Sequence, residues 1–411
     1  MKFSGSALLP LNAALCFAIK FGVNLNNYFL ELESISPSCI VKIMQGGKLP
    51  KGGDIWEFTN EIKPLDLYCY LYAKYGKPNG MQNLFRSNDS DNLIQWEWTL
   101  AGDFGLTSIQ GHNFRTEVHL VGDFKDKGLT LDMFISQVKS DIGNYGKQIS
   151  ELRKELEKWT QFVNPYHRIL SAVRQHMNKL DELNLNPAKD KVPQPTSSED
   201  MTEFSNRWEE MTDKYSHAVG LSFGLRSMLP VLAESFINLA LFLLCKPEIK
   251  SNERLFQNAL RQPIDIRVQS LHLNCVGFEE IVDYTADECK KFHTLMNERN
   301  DLLHGNVEVN KLSIGDVYFN GTVPLFIQYE DFWDKSIGVS MSSVKFDSIK
   351  DDYNVVDDFI RYILSKMNAQ ISKQLEAIMD KGQLGFNKKT GRVGVLFPEH
   401  LADFRVAVSK A

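Results

Sequence analysis

In the stretch 292–307, FHTLMNERNDLLHGNV, an arginine and a histidine stand five positions apart, and an asparagine directly follows the arginine. Arg299 offers a planar fork of N–H donors, a shape that suits the oxygens of a phosphoryl group. His304 offers an imidazole, the side-chain group whose ordinary titration range lies closest to neutrality and which can give or take a proton. Asn300, one helical turn before His304, can orient that ring or hold a phosphate oxygen. Asp301 is a candidate supporting group beside them.

These residues need an element to position them, and the spacing predicts a helix. With about 100° per residue and Arg299 set at zero, Phe292, Leu295, Met296, Leu302 and Leu303 all fall within roughly 60° of it. His293, Asn297, Asn300 and His304 gather on one flank. Glu298 and Asp301 lie on the other. Gly305 is placed as a C-cap, so His304 belongs to the last turn. An arginine in the middle of an apolar stripe must pair with a carboxylate, snorkel, or face a partner or ligand, because an unpaired buried charge is costly.

The chain has 411 residues, room for two or three domains, and an ordinary globular composition: 43% hydrophobic and 24% charged. A net charge of −6 gives no overall basic footprint, so a nucleic acid would have to meet a local patch. Six cysteines (16, 39, 69, 245, 275 and 289) are scattered without a C-x-x-C pair, the pattern of free thiols in a reducing cytoplasm. No metal-ligand spacing is visible among them or among His272, His293 and His304.

The opening MKFSGSALLPLNAALCFAIKFG loosely resembles a signal peptide, but Pro10, Asn12 and Lys20 interrupt its apolar run, which predicts a buried segment. The apolar run Met228 to Cys245 contains Pro230, Glu234 and Asn238, so the expectation is a central bundle helix and no membrane span.

Composition divides the chain into an α+β protein with four parts. Residues 1–130 read as a strand-rich domain of unknown role, with CIVKIMQ, DLYCYLYAKYG, IQWEWTLAG and RTEVHLVGDF as strand-like runs. Residues 131–190 read as a helical hairpin, its second helix opened by Asn164–Pro165. The proline-bearing run 186–200 reads as a linker. Residues 200–385 read as a helical bundle with a strand-like insert, SIGDVYFNGTVPLFIQY, and a last helix over 351–380. Residues 386–411 complete a small C-terminal hairpin and tail around NKKTG. The glycine-rich GGKLPKGG (46–53) lacks the spacing that cradles phosphates and predicts a hairpin loop. The triplet DFG within GDFG (102–105) has no kinase motifs to accompany it.

The run Arg299-Asn300-Asp301-Leu302-Leu303-His304 resembles the signature of the HEPN superfamily, R-x4-H with a polar residue straight after the arginine. The setting over residues 200 to 385 is similar too: the motif ends a late bundle helix, and an earlier long apolar helix carries an embedded polar pair, Glu234 and Asn238. The resemblance implies an α-helical bundle that dimerises so that two motifs share one cleft. It implies an endoribonuclease of the toxin or anti-phage defence kind that needs no metal or other cofactor. On that expectation Arg299, Asn300 and His304 are catalytic, while Glu234, Asn238 and Asp301 support them, Glu234 by pairing with Arg299. Lys290, Lys291, Arg254, Arg261 and Arg267 would track the RNA backbone. RNA carries its own nucleophile in the 2′-hydroxyl, so the products would be a 2′,3′-cyclic phosphate and a 5′-hydroxyl. The expected partners are RNA, a second copy of the chain, and a regulatory partner or ligand at the N-terminal domain. Asn306 stands where one variant of the family has a tyrosine, which argues against the nucleotidyl-modified, antitoxin-paired type. A second expectation is a non-catalytic HEPN module that binds RNA, a nucleotide or a protein.

Overall fold

A computed structural model describes residues 24–45, 51–87, 90–195, 197, 200–305, 313, 316–326 and 332–397. The signal-like opening, most of the GGKLPKGG loop and Asn306 lie outside the described residues. The chain forms two compact units, one reaching to Trp159 and including Asn387–Thr390, the other comprising Thr160–Phe386 and Gly391–Val395. The class is α+β, with an antiparallel sheet in the first unit and helices dominating the second.

The first unit is built on five strands: β1 (Glu33–Ser34), β2 (Gly53–Phe58), β3 (Trp96–Gly102), β4 (Gly105–Gly111) and β5 (Thr116–Gly122), in the order β1-β3-β4-β5-β2. Trp98, Ile109 and Val118 share one face by register and pack with Leu67, Tyr70, Phe134 and Val138. The GDFG motif is the turn between β3 and β4, with Gly102 paired to Gly105. Gly105 has φ +141°, and a Cβ there would sit 2.0 Å from the Val121 carbonyl oxygen, so glycine is required by close backbone approach.

Two runs read as strands are helices. CIVKIMQ lies in α1 (Pro37–Gln45) and DLYCYLYAKYG in α2 (Pro64–Tyr75). For α2 the local signals were a proline at N1 and Gly76 with φ +79° at the end. Its tyrosines mimic strand composition because Tyr70 is buried in the core and Tyr68, Tyr72 and Tyr75 pack against it.

The expected hairpin over 131–190 does not form as one unit. α3 (Leu131–Ile142) and α4 (Gly146–Glu155) contribute Phe134, Val138 and Ile149 to the first core. The chain then turns extended through β6 (Trp159–Val163), and α5 (Pro165–Glu182) packs its Tyr166, Leu170 and Val173 in the second unit. Asn164 caps α5 through the Tyr166 N–H and also donates to the carbonyls of Ile378 and Lys381. The linker is partly ordered: α6 (Pro187–Asp190) ends with Asp190 accepting from the Tyr215 hydroxyl at 2.8 Å, and Val192 is buried.

The central bundle helix expected over Met228 to Cys245 is the second half of a longer one, α7 (Met201–Leu244), of 44 residues and about 66 Å. By length and composition it could cross a bilayer, yet 56% of its apolar window is buried, in the central position of the bundle. Short helices follow: α8 (Pro247–Lys250), α9 (Glu253–Arg261), α10 (Ile264–Gln269) and α11 (Leu271–Asn274), then α12 (Asp287–His304). The insert forms an antiparallel ribbon, β7 (Val317–Asn320) with β8 (Val323–Phe326), followed by α13 (Val339–Ser343). The single helix expected over 351–380 is broken into α14 (Ile349–Ser365) and α15 (Ala369–Met379). Met367 leaves the helix to bridge Phe278, and Asn368 caps the new start through the Gln370 N–H. The hairpin around NKKTG is present as β9 (Gln383–Asn387) and β10 (Val393–Gly394), with β6 on the far side of β9.

Two apolar cores lie along α7. The larger joins Leu225, Leu229, Phe236 and Ile237 to α5, α12 and α14; the smaller joins Tyr215 to Val192, Trp333, Ile337 and Met341.

Candidate functional site

The motif helix α12 begins with Asp287 and Glu288 in its first turn and ends at Gly305, which is left-handed (φ +59°) and donates its N–H to the Asp301 carbonyl. Cys289, Phe292, Leu295 and Met296 are buried, and the Phe292 ring stacks on Phe359 of α14 at 4.1 Å. Past Met296 the apolar stripe leaves the core. Leu302 is half-buried and Leu303 is 45% exposed. Arg299 therefore sits where burial runs out, not at the centre of a buried face.

The Arg299 side chain is half-buried. Its Nη1 donates to Asn300 Oδ1 at 2.8 Å, and its Nε is buried without an acceptor. Among the described residues it forms no ion pair with a carboxylate. His304 is exposed in the last turn, on the flank shared with Asn300. The helix C-terminus carries partial negative charge and favours cationic groups there. Asp301 is half-buried, and its backbone carbonyl accepts from Gly305.

Glu234 and Asn238 do not hold Arg299. They hold Arg267: its Nη2 donates to Glu234 and its Nη1 to Asn238 Oδ1 at 2.6 Å. Arg267 is buried, so it is also removed from the set of residues expected to follow RNA. The spacing put Glu234 and Asn238 on one face correctly but left open which arginine completes it, and α10 brings Arg267 there. Lys290, Lys291, Arg254 and Arg261 are exposed, the first pair near the start of α12 and the second on α9. Lys290 stands 4.0 Å from Asp287.

A second clamp lies directly beside the motif, and sequence reading missed it. Arg226, nearly all of its side chain buried, donates Nη1 to Asp352 at 2.7 Å and Nη2 to Glu298. Lys345 Nζ reaches the other oxygen of Glu298 at 2.6 Å. Three segments, α7, α12 and the start of α14, are thus tied together one residue from Arg299. Burial raises the Asp352 carboxyl above its ordinary value even with Arg226 beside it. Burial works in the same direction on Glu298, but the hydrogen bond and charge of Lys345, with Arg226, outweigh it and hold that carboxyl low. The signal was an arginine inside the apolar run GLRSMLP, just ahead of the point where the core helix was expected to begin.

Among the described residues, no group of three or more His, Cys, Asp or Glu is placed to hold a metal ion, and the five described cysteines are free thiols. The end of α12 carries groups suited to an anion: a guanidinium steadied by a neutral amide and, five residues on, a solvent-facing imidazole. Comparison with protein families, with curated proteins and with solved structures finds no match to this chain.

Proposed function

We propose that the second unit is a HEPN-like bundle and that the end of α12 cleaves RNA by attack of the 2′-hydroxyl on the adjacent phosphodiester. The observation that carries this reading is the contrast at Arg299: a half-buried arginine with an asparagine for company and no carboxylate among the described residues, in the same last turns as an exposed histidine. Arg299 would take the charge that builds on the non-bridging phosphate oxygens, and His304 would move the proton of the 2′-hydroxyl or of the leaving 5′-oxygen. Asn300 would keep the guanidinium aimed. One motif supplies one histidine for two proton transfers, so the working form is a homodimer with two motifs on one cleft. No step requires a metal ion, because the nucleophile belongs to the substrate. The biological setting that the resemblance implies is a toxin or defence effector, with the first unit as its regulatory part.

The test is incubation of the full chain with unstructured RNA in the presence of a chelator, followed by analysis of the new ends. Cleavage leaving 2′,3′-cyclic phosphate and 5′-hydroxyl ends is expected. His304→Ala should then cut roughly 10²–10⁴-fold more slowly at an unchanged melting temperature. A cleaving wild type matched by His304→Ala would remove this site from the reaction. RNA binding without cleavage, weakened by Arg299→Ala, would replace it with a non-catalytic binding module.

A further inference from the structure

We propose that Cys245 and Cys275 are an oxidative modification site: a dithiol pair that low-molecular-weight disulfides convert to a reversible cross-strand disulfide, locking the end of α7 to the end of α11. Cys245 is the residue that closes α7, donating its N–H to the Leu241 carbonyl, and Cys275 closes α11 in the same way on Leu271. The two residues then face each other as an antiparallel β-bridge. The hydrogen bonds of that bridge lie on either side of them, Lys246 N–H to Asn274 O and Val276 N–H to Leu244 O, both 2.8 Å. This pattern makes Cys245 and Cys275 a non-hydrogen-bonded pair. Directly opposed residues of that kind have Cα atoms roughly 4.5 Å apart with side chains on the same face. That spacing falls at the short end of the window a disulfide spans.

Three further observations bear on the pair. Both thiols are free and their residues are only 4% and 2% exposed, so a small disulfide meets them when the bridge opens locally, and each has the other directly opposite it. Burial pushes both thiols up, that of Cys275 to about 12, while the charges of Lys250 and Lys246 oppose the shift and offer a thiolate its counter-ion. Arg267, in the segment between the two cysteines, is already fastened to Glu234 and Asn238 of α7, which holds the bridge in register. The remaining described cysteines, Cys39, Cys69 and Cys289, have no cysteine opposite them in a bridge.

The chemistry is thiol–disulfide exchange. One protein thiolate attacks a sulfur of the small disulfide, forming a mixed disulfide and expelling one small thiolate. The second protein thiolate attacks the protein-side sulfur, the Cys245–Cys275 bond forms, and the second small thiolate leaves. The protein loses two protons and two electrons, and the small disulfide becomes two thiols. A reducing pool returns the bond to the dithiol by the reverse exchange.

The experiment equilibrates the full chain in buffers of oxidised and reduced glutathione at graded ratios, once from the folded state and once by refolding into the same buffers. Unreduced peptide mapping should find Cys245 linked to Cys275, with dithiothreitol releasing it. Cys245→Ser and Cys275→Ser should each abolish the link. The oxidised form should melt on the order of 5–10 °C higher than the reduced form. Thiols at both positions in the most oxidising buffer by both routes, glutathione adducts without the link, or a link to other cysteines in preference would each overturn the proposal. None of these outcomes depends on whether the chain cleaves RNA.

Discussion

Two arginines of the same bundle, Arg267 and Arg299, stand in opposite surroundings. Arg267 is buried, with Nη2 donating to the Glu234 carboxylate, Nη1 to Asn238 Oδ1, and Nε without an acceptor. Arg299 is half-buried and answered by one neutral amide, with no carboxylate among the described residues, and its Nε likewise has no acceptor. An arginine whose charge is met by a carboxylate inside the protein is part of the architecture. A half-exposed arginine that meets only a neutral amide keeps its charge for an anion from outside. Arg226, with Asp352 and Glu298, belongs to the first kind. What separates structural cations from those set aside for a ligand is a carboxylate partner, not the position of the charge on a helical wheel.

The comparison is tested most severely at Arg299 itself. On the proposed reaction, Arg299→Ala should cost on the order of 3 kcal/mol of transition-state stabilisation in the rate of RNA cleavage. Lysine at 299 should rescue little, since it keeps the charge and loses the fork. Unfolding in denaturant should read the same change as small. A large loss of stability would show that Arg299 is architectural after all. Arg267→Ala should behave the other way round, destabilising the fold by about 3 kcal/mol, because Glu234 is left without its counter-charge. If the two alanine variants melt alike, the distinction fails.

Two smaller effects sharpen the picture of the motif helix. Gly305 occupies a left-handed conformation, so Gly305→Ala should cost about 1–2 kcal/mol in equilibrium unfolding and fray the turn that carries His304. Glu298 tests the clamp. Its carboxyl is held below the ordinary glutamate value in the folded state, so its contribution is present above that value and is lost as the pH falls through the folded one. Glu298→Gln should therefore be less stable than wild type at neutral pH, by under about 1 kcal/mol because the pair is partly solvated, and the gap should close on acidification. A gap that widens at low pH would reverse the assignment.

The α+β division, the Gly305 cap, the β7–β8 ribbon and the hairpin around NKKTG were legible, because each is written locally in turn residues and periodicity. The helical character of α2 was obscured by its own burial, since a helix apolar on several sides loses the 3.6-residue rhythm and its tyrosines read as strand. The partner of Glu234 was not legible, because the choice between Arg267 and Arg299 is made by how α10 folds back on α7, a long-range event that no local pattern encodes. For the same reason Arg226 went unnoticed: its carboxylates come from positions far along the chain. At the candidate site, the types and spacing of Arg299, Asn300 and His304 were on view, while the lack of a carboxylate beside the guanidinium among the described residues belongs to the folded state alone.

The length of α7 has a dynamic consequence. Its first part is anchored in the small core around Tyr215 and Trp333, and its second part, from Leu225 on, in the large one. Between the two anchors stand Gly220 and Gly224, the residue type least able to sustain a helix apart from proline. A rod pinned at two places with two glycines between them should not open as one piece. Its amides should exchange with deuterium in two steps: residues before Gly220 rapidly, with openings of the small core, and residues after Leu225 only with the global unfolding of the bundle. On the timescale of hydrogen exchange the single helix should then behave as two segments, the first opening locally and the second only with the bundle.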